Sequence, residues 1–445
     1  MHTTKNVNGS HTFIIMRFLT FPHFQKCFSA STSSIYCKTI FSKSKVKKSS
    51  CGSNLRGVAT AKTLLNSNTV MDYNRFLNAT ALRRQVSPIR ELTKLFATAK
   101  PGTIFLGSGI PNAGTFPFGK VVIELKDGVS FSLDGKTLEN ALQYQPTPGY
   151  IPLVQQLKEL QQKVHGLRSN FWDTNDLVVT TGSQDGLCKA IEMSLEDGEP
   201  ILVQEPIYSG TTAILKAFDP RMIAVAQDSW GVCPEKLEEA LKLEGTAEEI
   251  RARQKGVPKV RIWGVTIPTE RKKRIYEIAC EYDLIILEDD PYYYLHFEEK
   301  EPVSFLSLDT QGRVLRLDSF SKILSSGLRL GFVTGPKALV NRIELHMQAS
   351  VMHASSLPQV LVSNLLKEWG HEKLFNHFKY IQKFYKLKRD SMVAAAEKHL
   401  TGLADWTVPT AGMFLWFKVR GIQDVKKMGF ARLATLIKEE LQKQN

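Results

Sequence analysis

The sequence lacks several features that would assign it to other classes of protein. No apolar run approaches the roughly 18–20 residues that a membrane-spanning helix needs, so we predict no segment that crosses a bilayer. None of the six cysteines belongs to a Cys-x-x-Cys pair, which argues against a structural zinc site or a redox dithiol. His371 and His377 share one stretch without a His-Glu-x-x-His motif, and we predict no metal centre.

Acidic residues are absent from the first 71 positions, and Asp72 is the first acidic residue of the chain. That stretch holds ten of the 58 Lys and Arg residues, which leaves 48 basic against 44 acidic residues in the remainder. The basic excess of the chain therefore belongs mostly to this leader, and binding of nucleic acid by the body is not expected.

The leader is rich in Ser, Thr and Lys, a composition typical of a mitochondrial transit peptide. We therefore predict residues 1–70 to be a leader without fixed structure and the protein to lie in the mitochondrial matrix. The alternative is an extension upstream of Met16 or Met71, and a start at Met71 would give a cytoplasmic protein.

Beyond Asp72, strand-like apolar runs alternate with helix-like runs, which favours a mainly parallel sheet covered by helices. The predicted strands are 177–181, 200–204, 222–226, 260–265, 284–287, 313–317 and 329–334, and the clearest helices are 183–195 and 270–282. Polar clusters follow Thr181, Gln204, Leu287 and Leu317. Ligands of such sheets bind beyond the carboxyl ends of the strands, so these four stretches predict one shared site.

Lys322 is the first candidate for chemistry, since it follows an apolar strand and is flanked by serines. A lysine alone would be interpreted as a solvated charge, but a crowded lysine has a lowered pKa and attacks carbonyls. Arg329 lies between Gly327 and Gly331. A guanidinium fork binds phosphate with two hydrogen bonds, and glycine permits close backbone approach.

The run from Ser319 to Gly331, Ser-Phe-Ser-Lys-Ile-Leu-Ser-Ser-Gly-Leu-Arg-Leu-Gly, resembles the lysine signature of the class I, fold-type I aminotransferases. Ser326 stands where many relatives have proline. The resemblance implies pyridoxal 5'-phosphate as cofactor, bound as an imine to Lys322. It also implies cofactor contacts from Ser319, Ser321 and Arg329.

Three further stretches match the same family. In Asp-Asp-Pro-Tyr, the resemblance assigns Asp289 to the pyridinium nitrogen of the cofactor and Tyr292 to its phenolate oxygen; a carboxylate there keeps the ring protonated as an electron sink. Ser183 and Gln184 open a helix, whose N–H groups suit the phosphate. Tyr208 aligns with the residue that stacks on the ring. Taken singly, a turn, a helix cap and a core tyrosine are the commoner interpretations.

The amino-terminal part resembles the substrate side of the family. The resemblance implies that Arg90, Gly109 and Ile110 line the substrate pocket. It places Tyr144 in the segment that reaches the cofactor phosphate of a neighbouring subunit, and thereby implies a homodimer.

Two family elements are missing. An Asn-Pro-x-Gly loop is expected after the strand 260–265, yet the chain contains no Asn-Pro dipeptide. The segment with the arginine that binds the substrate carboxylate is absent, and neither Arg420 nor Arg432 lies in the expected motif. Each lost hydrogen bond to a charged group is worth roughly 1.5–3 kcal/mol, so we expect cofactor binding to survive better than turnover.

The sequence thus predicts a large α/β domain over 119–335, preceded by an arm at 71–118 and followed by a shortened small domain at 336–445. The predicted activity is transamination between an amino acid of the kynurenine, 2-aminoadipate or aromatic type and a 2-oxo acid such as 2-oxoglutarate. A catalytically impaired cofactor-binding variant is the alternative. An aminotransferase-like regulator is disfavoured because residues 1–71 contain no helix-turn-helix pattern, while a decarboxylase or acyl-transfer enzyme on the same fold stays open.

Overall fold

The computed structural model describes residues 2–5, 12–17, 71–91, 100, 109–253, 259–262 and 267–420. Its strands are β1 His2–Lys5, β2 Thr12–Arg17, β3 Val121–Glu124, β4 Ser130–Leu133, β5 Asn175–Thr180, β6 Pro200–Glu205, β7 Arg221–Asp228, β8 Gly231–Val232, β9 Lys259–Ile262, β10 Ile286–Asp289, β11 Val314–Ser319, β12 Gly331–Pro336, β13 Ala404–Trp406 and β14 Phe414–Val419.

The α-helices are α1 Ala79–Arg83, α2 Gly135–Leu142, α3 Ile151–His165, α4 Phe171–Thr174, α5 Ser183–Ser194, α6 Ser209–Leu215, α7 Pro234–Glu244, α8 Ala247–Ala252, α9 Thr269–Glu281, α10 Phe305–Leu308, α11 Lys337–Ser350 and α12 Ser356–Leu400. Short 3-10 helices occur at Tyr73–Phe76, Ala113–Thr115, Tyr293–Leu295, Phe320–Lys322 and Ser326–Leu328. Helix α12 is interrupted at Gly370, whose φ and ψ are non-helical.

The central sheet has eight strands in the order β5-β12-β11-β10-β9-β6-β7-β8. Strands β11, β10, β9, β6 and β7 are parallel to one another, whereas β12 runs antiparallel to both β5 and β11. Such a sheet is covered on both faces, which explains why every residue of β10, β11 and β12 is buried. The predicted α/β fold with a mainly parallel sheet is confirmed.

The connections of the sheet determine where a site can form. Strands β5, β6, β10 and β11 point the same way, so their carboxyl ends lie along one edge. Helix α5 follows β5 and packs on β10, β11 and β12, and helix α11 packs on β5 and β12. The polar stretches predicted from the sequence therefore lie at this edge, with a closed apolar core beneath them.

Residues of the leader take part in a second sheet, whose strand order is β1-β2-β14-β13. Strand β2 pairs antiparallel with β14, with Arg17 opposite Phe414 and Phe13 opposite Lys418. The expectation that residues 1–70 lack fixed structure therefore does not hold for β1 and β2, and the rest of that range lies outside the described residues. The domain boundaries stay predictions.

The predicted strands and helices agree with the observed ones to within a few residues, with one correction at Arg329. The sequence places this residue in a strand, but its φ of 49° is left-handed and β12 begins only at Gly331. The apolar run around Leu330 is typical of a strand, so the sequence pattern does not indicate the left-handed conformation of Arg329. Among the residues described, no helix is both long and apolar enough to span a membrane.

Candidate active site

Asp289 and Lys322 lie at the carboxyl ends of two neighbouring strands. Asp289 is the last residue of β10, is 5% exposed, and lies opposite Leu317 of the parallel strand β11. Beyond Leu317, β11 ends at Ser319 and a single 3-10 turn, Phe320–Lys322, places Lys322 at the same edge. The parallel register of β10 and β11 thus brings a carboxylate and an amine to one place.

The backbone around Lys322 is fixed by local hydrogen bonds. The Ser321 N–H donates to Ser319 Oγ at 3.2 Å, and the Phe320 N–H donates to the Leu330 carbonyl at 3.1 Å. The Lys322 ammonium lies 6.0 Å from the centroid of the Tyr292 ring. Tyr292 packs edge-on against Phe414 at 6.0 Å, so the tyrosine beside the lysine is itself held in place.

A cradle for an anion is formed where helix α5 begins. Gly182 caps the helix with no side-chain hydrogen bond to its first turn, which leaves backbone N–H groups there for a ligand. Arg329 reaches across this end: its guanidinium donates to the Thr181 carbonyl at 3.4 Å and to the Ser326 carbonyl at 3.3 Å. Ser183 follows Gly182 directly, so hydroxyl, amide and guanidinium donors converge.

Two glycines make this close approach possible. Gly182 has a φ of +80°, and a Cβ added to it would lie 2.8 Å from Nη2 of Arg329. A Cβ on Gly331 would lie 2.6 Å from the backbone nitrogen of Ser183. The Arg329 guanidinium and the N–H groups at the start of α5 are donors, as a phosphate requires, while the carboxylate of Asp289 suits a protonated ring nitrogen. The residues present therefore fit pyridoxal phosphate.

Tyr208 and Gln184 lie next to each other beside the cradle. The Tyr208 side chain is 41% exposed, and its ring lies over Gly210, where an added Cβ would meet it at 2.3 Å. The Gln184 amide donates to the Gly210 carbonyl at 3.4 Å. An exposed ring beside the first turn of α5 can stack on a flat ligand whose phosphate occupies the cradle.

A cavity of about 490 Å³ opens next to these residues. Tyr208, Asp289 and Tyr292 line one side, and the segment between β13 and β14 lines the other. The lining also includes Trp230, Trp406, Trp416 and Lys418. Its aromatic side chains are suited to a substrate with a flat side chain, and Lys418 shares the lining with Asp228, Asp289, Asp290 and Asp405.

Sequence reasoning missed a group of charges on the face of the sheet opposite to Asp289. Arg316 is fully buried; it hydrogen-bonds Asp318 at 2.8 and 3.0 Å and lies 3.1 Å from Glu288. Asp290 is 2% exposed, and neither of its carboxyl oxygens has a hydrogen-bond partner among the described residues. The detectable sign was the alternation of Arg316, Leu317 and Asp318 in the otherwise apolar strand β11.

Electrostatics of this group follow from burial. Desolvation raises the pKa of the Asp290 carboxyl to about 7, although Arg316 and Lys272 oppose the shift. Burial likewise raises the pKa of Asp318 and lowers that of Lys272. Because desolvation outweighs both cations, Asp290 binds a proton at a higher pH than an exposed carboxyl does.

The remaining predicted residues form a second group. Arg90 donates to the Gln145 carbonyl at 3.2 Å, and burial lowers its pKa. Tyr144 is 50% exposed and meets His353 edge-on at 6.0 Å. The loop with Gly109 and Ile110 is exposed and attached nearby, because the Gln143 amide donates to the Pro111 carbonyl at 2.9 Å.

The two departures from the family pattern are only partly visible. Arg420 pairs with Asp405 at 2.5 Å and is 58% exposed, so its guanidinium already serves a surface ion pair. Arg432 and the residues 263–266, where the Asn-Pro-x-Gly loop is expected, lie outside the described residues.

Comparison with known proteins identifies the family. The family model "Aminotransferase class I and II" matches residues 103–441. The chain belongs to the class I and II aminotransferases. The aminotransferase is 45% identical over 370 residues to the mitochondrial kynurenine/alpha-aminoadipate aminotransferase of Bos taurus, covering 80% of this chain and 87% of the relative.

Solved structures agree with this assignment. The aminotransferase Aro8 of Candida albicans has a TM-score of 0.69 at 28% identity, over 78% of this chain and 81% of that one. The kynurenine aminotransferase of Pyrococcus horikoshii, solved with PMP, has a TM-score of 0.58 at 29% identity, over 83% and 98% of the two chains. The predicted family, transamination and pyridoxal phosphate as cofactor are thereby confirmed.

Replacing Gly182 by alanine is expected to weaken cofactor binding. The added Cβ displaces Arg329, and loss of its hydrogen bond to the phosphate at roughly 1.5–3 kcal/mol raises the dissociation constant at least about tenfold. Equilibrium titration with pyridoxal phosphate measures it. Gly128→Ala is the matched control, since Gly128 has a φ of +83° with no atom within 4 Å of the added Cβ. Equal affinity in both variants would contradict the cradle.

Replacing Asp290 by asparagine is expected to stabilise the cofactor-free aminotransferase at pH 8 more than at pH 5. The pKa is raised from 3.8 to about 7 in the folded state, so wild-type stability falls as pH rises between these values. The variant avoids this loss, worth at most about 4 kcal/mol. Thermal unfolding at both pH values measures the difference. The exposed Asp197→Asn is the control, and a gain independent of pH would refute the assignment.

Proposed function

We propose that this aminotransferase moves the amino group of kynurenine, 2-aminoadipate or an aromatic amino acid to a 2-oxo acid such as 2-oxoglutarate. The observation that carries the proposal is that Asp289 and Lys322 lie at the carboxyl ends of the adjacent parallel strands β10 and β11. The names of its relatives support the substrate class, since the bovine relative at 45% identity is a kynurenine/alpha-aminoadipate aminotransferase.

Each cofactor residue has a role that its position supports. Arg329, Ser183 and Gln184, with the N–H groups at the start of α5, bind the phosphate. The Asp289 carboxylate would keep the pyridine nitrogen of the cofactor protonated, and the Tyr292 hydroxyl would donate to its phenolate oxygen. When bound, the cofactor supplies an electron sink that acidifies the Cα–H bond of the amino acid.

Lys322 performs the proton transfer. Its amine would hold the cofactor covalently, and the same amine, when free, would take up and return the proton at Cα of the substrate. Ser319 and Ser321 hold the turn that carries Lys322. Tyr208 covers one face of the ring, which orients the reacting bonds relative to Lys322.

The cavity supports the proposed choice of substrates. Trp230 and Trp406 can pack on an aromatic side chain, and Lys418 offers a cation for a carboxylate where the carboxylate-binding segment of the family is missing. A cavity of about 490 Å³ holds a molecule of the size of kynurenine.

A homodimer would bring the second group of residues into use. In this proposal, Tyr144 contacts the cofactor phosphate of the partner subunit, and Arg90, Gly109 and Ile110 complete the substrate pocket. Large apolar side chains close to these residues in the sequence are exposed in the single chain, as is Tyr144 itself: Ile89, Phe118, Val122 and Ile151. Exposed apolar area of this kind suits a protein interface.

The mitochondrial matrix is the proposed location. The composition of residues 1–70 supports it, as does the bovine relative, which is named mitochondrial. Import of the full chain by isolated mitochondria, compared with a chain that starts at Met71, tests the proposal.

Lys322→Ala is expected to abolish transamination. Loss of the proton-transfer amine lowers kcat by at least about 10³-fold. The assay follows consumption of kynurenine and of 2-aminoadipate with 2-oxoglutarate, and Lys379→Ala on an exposed part of α12 is the control. If the wild-type chain binds pyridoxal phosphate but its absorbance does not change with either amino acid, the impaired alternative replaces this proposal.

Charge at the proposed interface is expected to break the dimer. Ile151→Asp places a carboxylate on a side chain that is 68% exposed in the single chain and buried in the proposed assembly. Analytical ultracentrifugation is expected to give the wild type about twice the molecular mass of the Ile151→Asp variant, as a dimer and a monomer would show. Leu243→Asp, at a side chain that is 88% exposed on helix α7, is the control. A monomeric wild type would contradict the proposal.

A further inference from the structure

Arg316 lies on the face of the sheet opposite to Asp289 and is completely buried. It contacts three groups: the Asp318 carboxylate through two hydrogen bonds, the Glu288 carboxylate at 3.1 Å, and the Tyr293 ring at 4.6 Å. The contact with Glu288 is an ion pair without hydrogen-bond geometry.

Each of these three partners is the immediate sequence neighbour of a residue proposed to hold the cofactor. Glu288 precedes Asp289, Asp318 precedes Ser319, and Tyr293 follows Tyr292. Side chains of a strand alternate between its faces, so in β10 and β11 the residues bonded to Arg316 point away from the face on which Asp289 and Ser319 lie.

The contacts of Arg316 join the two strands that carry the chemistry. Asp318 belongs to β11, as does Arg316, whereas Glu288 belongs to β10. Glu288 also accepts the N–H groups of Phe305 at 2.9 Å and Leu306 at 3.2 Å, which attaches β10 to helix α10. One guanidinium therefore ties β10, β11 and the Tyr293–Leu295 turn together.

We propose that Arg316 is a positioning residue: by tying Glu288, Asp318 and Tyr293 on one face of the sheet, it fixes Asp289, Tyr292 and Lys322 relative to one another on the other. The inference rests on the proposed cofactor roles of those three residues. A rigid separation between carboxylate and amine matters because both ends of one ring must be engaged together, and a misplacement of about 1 Å is costly.

The test compares Arg316→Lys and Glu288→Gln with the wild type. Lysine keeps the positive charge but lacks the planar guanidinium of Arg316. Glutamine at position 288 removes the carboxylate charge that pairs with that guanidinium. Affinity is measured for pyridoxal phosphate and for 4-deoxypyridoxine 5'-phosphate, an analogue without the aldehyde that cannot react with Lys322. Unfolding temperature of the cofactor-free protein is measured in parallel.

Asp309→Asn is the matched control. Asp309 also binds β11, through the Arg313 and Val314 N–H groups at 2.9 and 3.0 Å, but at the opposite end of the strand from Lys322. We expect this variant to lower the unfolding temperature without altering affinity for the analogue. Arg316→Lys and Glu288→Gln should weaken analogue binding at least about tenfold, because a displaced Asp289 loses its hydrogen bond to the charged ring nitrogen. Both variants should also shift the pH at which the bound cofactor changes its absorbance.

Unchanged affinity and absorbance in both variants would overturn the proposal. The proposal would also be overturned if the two variants lost no more affinity for the analogue than Asp309→Asn does at equal stability. Failure of both variants to fold would overturn it too, since Arg316 would then be purely structural. Binding is measured without substrates. A wild type that binds the analogue but catalyses no transamination therefore defeats the proposed activity alone.

Discussion

The parallel pairing of β10 with β11 is the constraint on which the site depends. It sets Asp289 opposite Leu317, and the chain needs only five more residues to reach Lys322. A carboxylate and an amine can then engage opposite ends of one heterocycle without any long loop between them. The cradle at the start of α5 belongs to β5, which β12 separates from β11, so the phosphate is held by a different part of the same edge.

Buried charge maintains this arrangement at a thermodynamic cost. An arginine removed entirely from water is tolerated only when its partners compensate it, and Arg316 has two carboxylates and an aromatic face. Asp290 lies beside the same cluster, and desolvation raises the pKa of its carboxyl although Arg316 and Lys272 oppose the shift. Such strain is typical of sites where function takes precedence over stability.

Much of the site follows from sequence because its chemistry is tied to short motifs. Lys322, Asp289 and Ser183 each lie at or just beyond the end of a strand, so the alternation of strands and helices in the sequence indicates a common edge. The left-handed backbone conformation of Arg329 was not predicted, since the apolar residues around it continue the pattern of a strand. Arg316 escaped because an alternation of charged and apolar residues is equally typical of a half-exposed strand. Only the helices on both faces reveal that its face is closed.

The pairing of β2 with β14 has a consequence for maturation. If residues 1–70 are a transit peptide, as proposed, their removal takes from β14 the neighbour that β2 provides. The amide and carbonyl groups along Phe414–Val419 would then form a bare edge next to the cavity. Bare edges recruit other strands, so trimming would convert an intramolecular contact into a route to self-association.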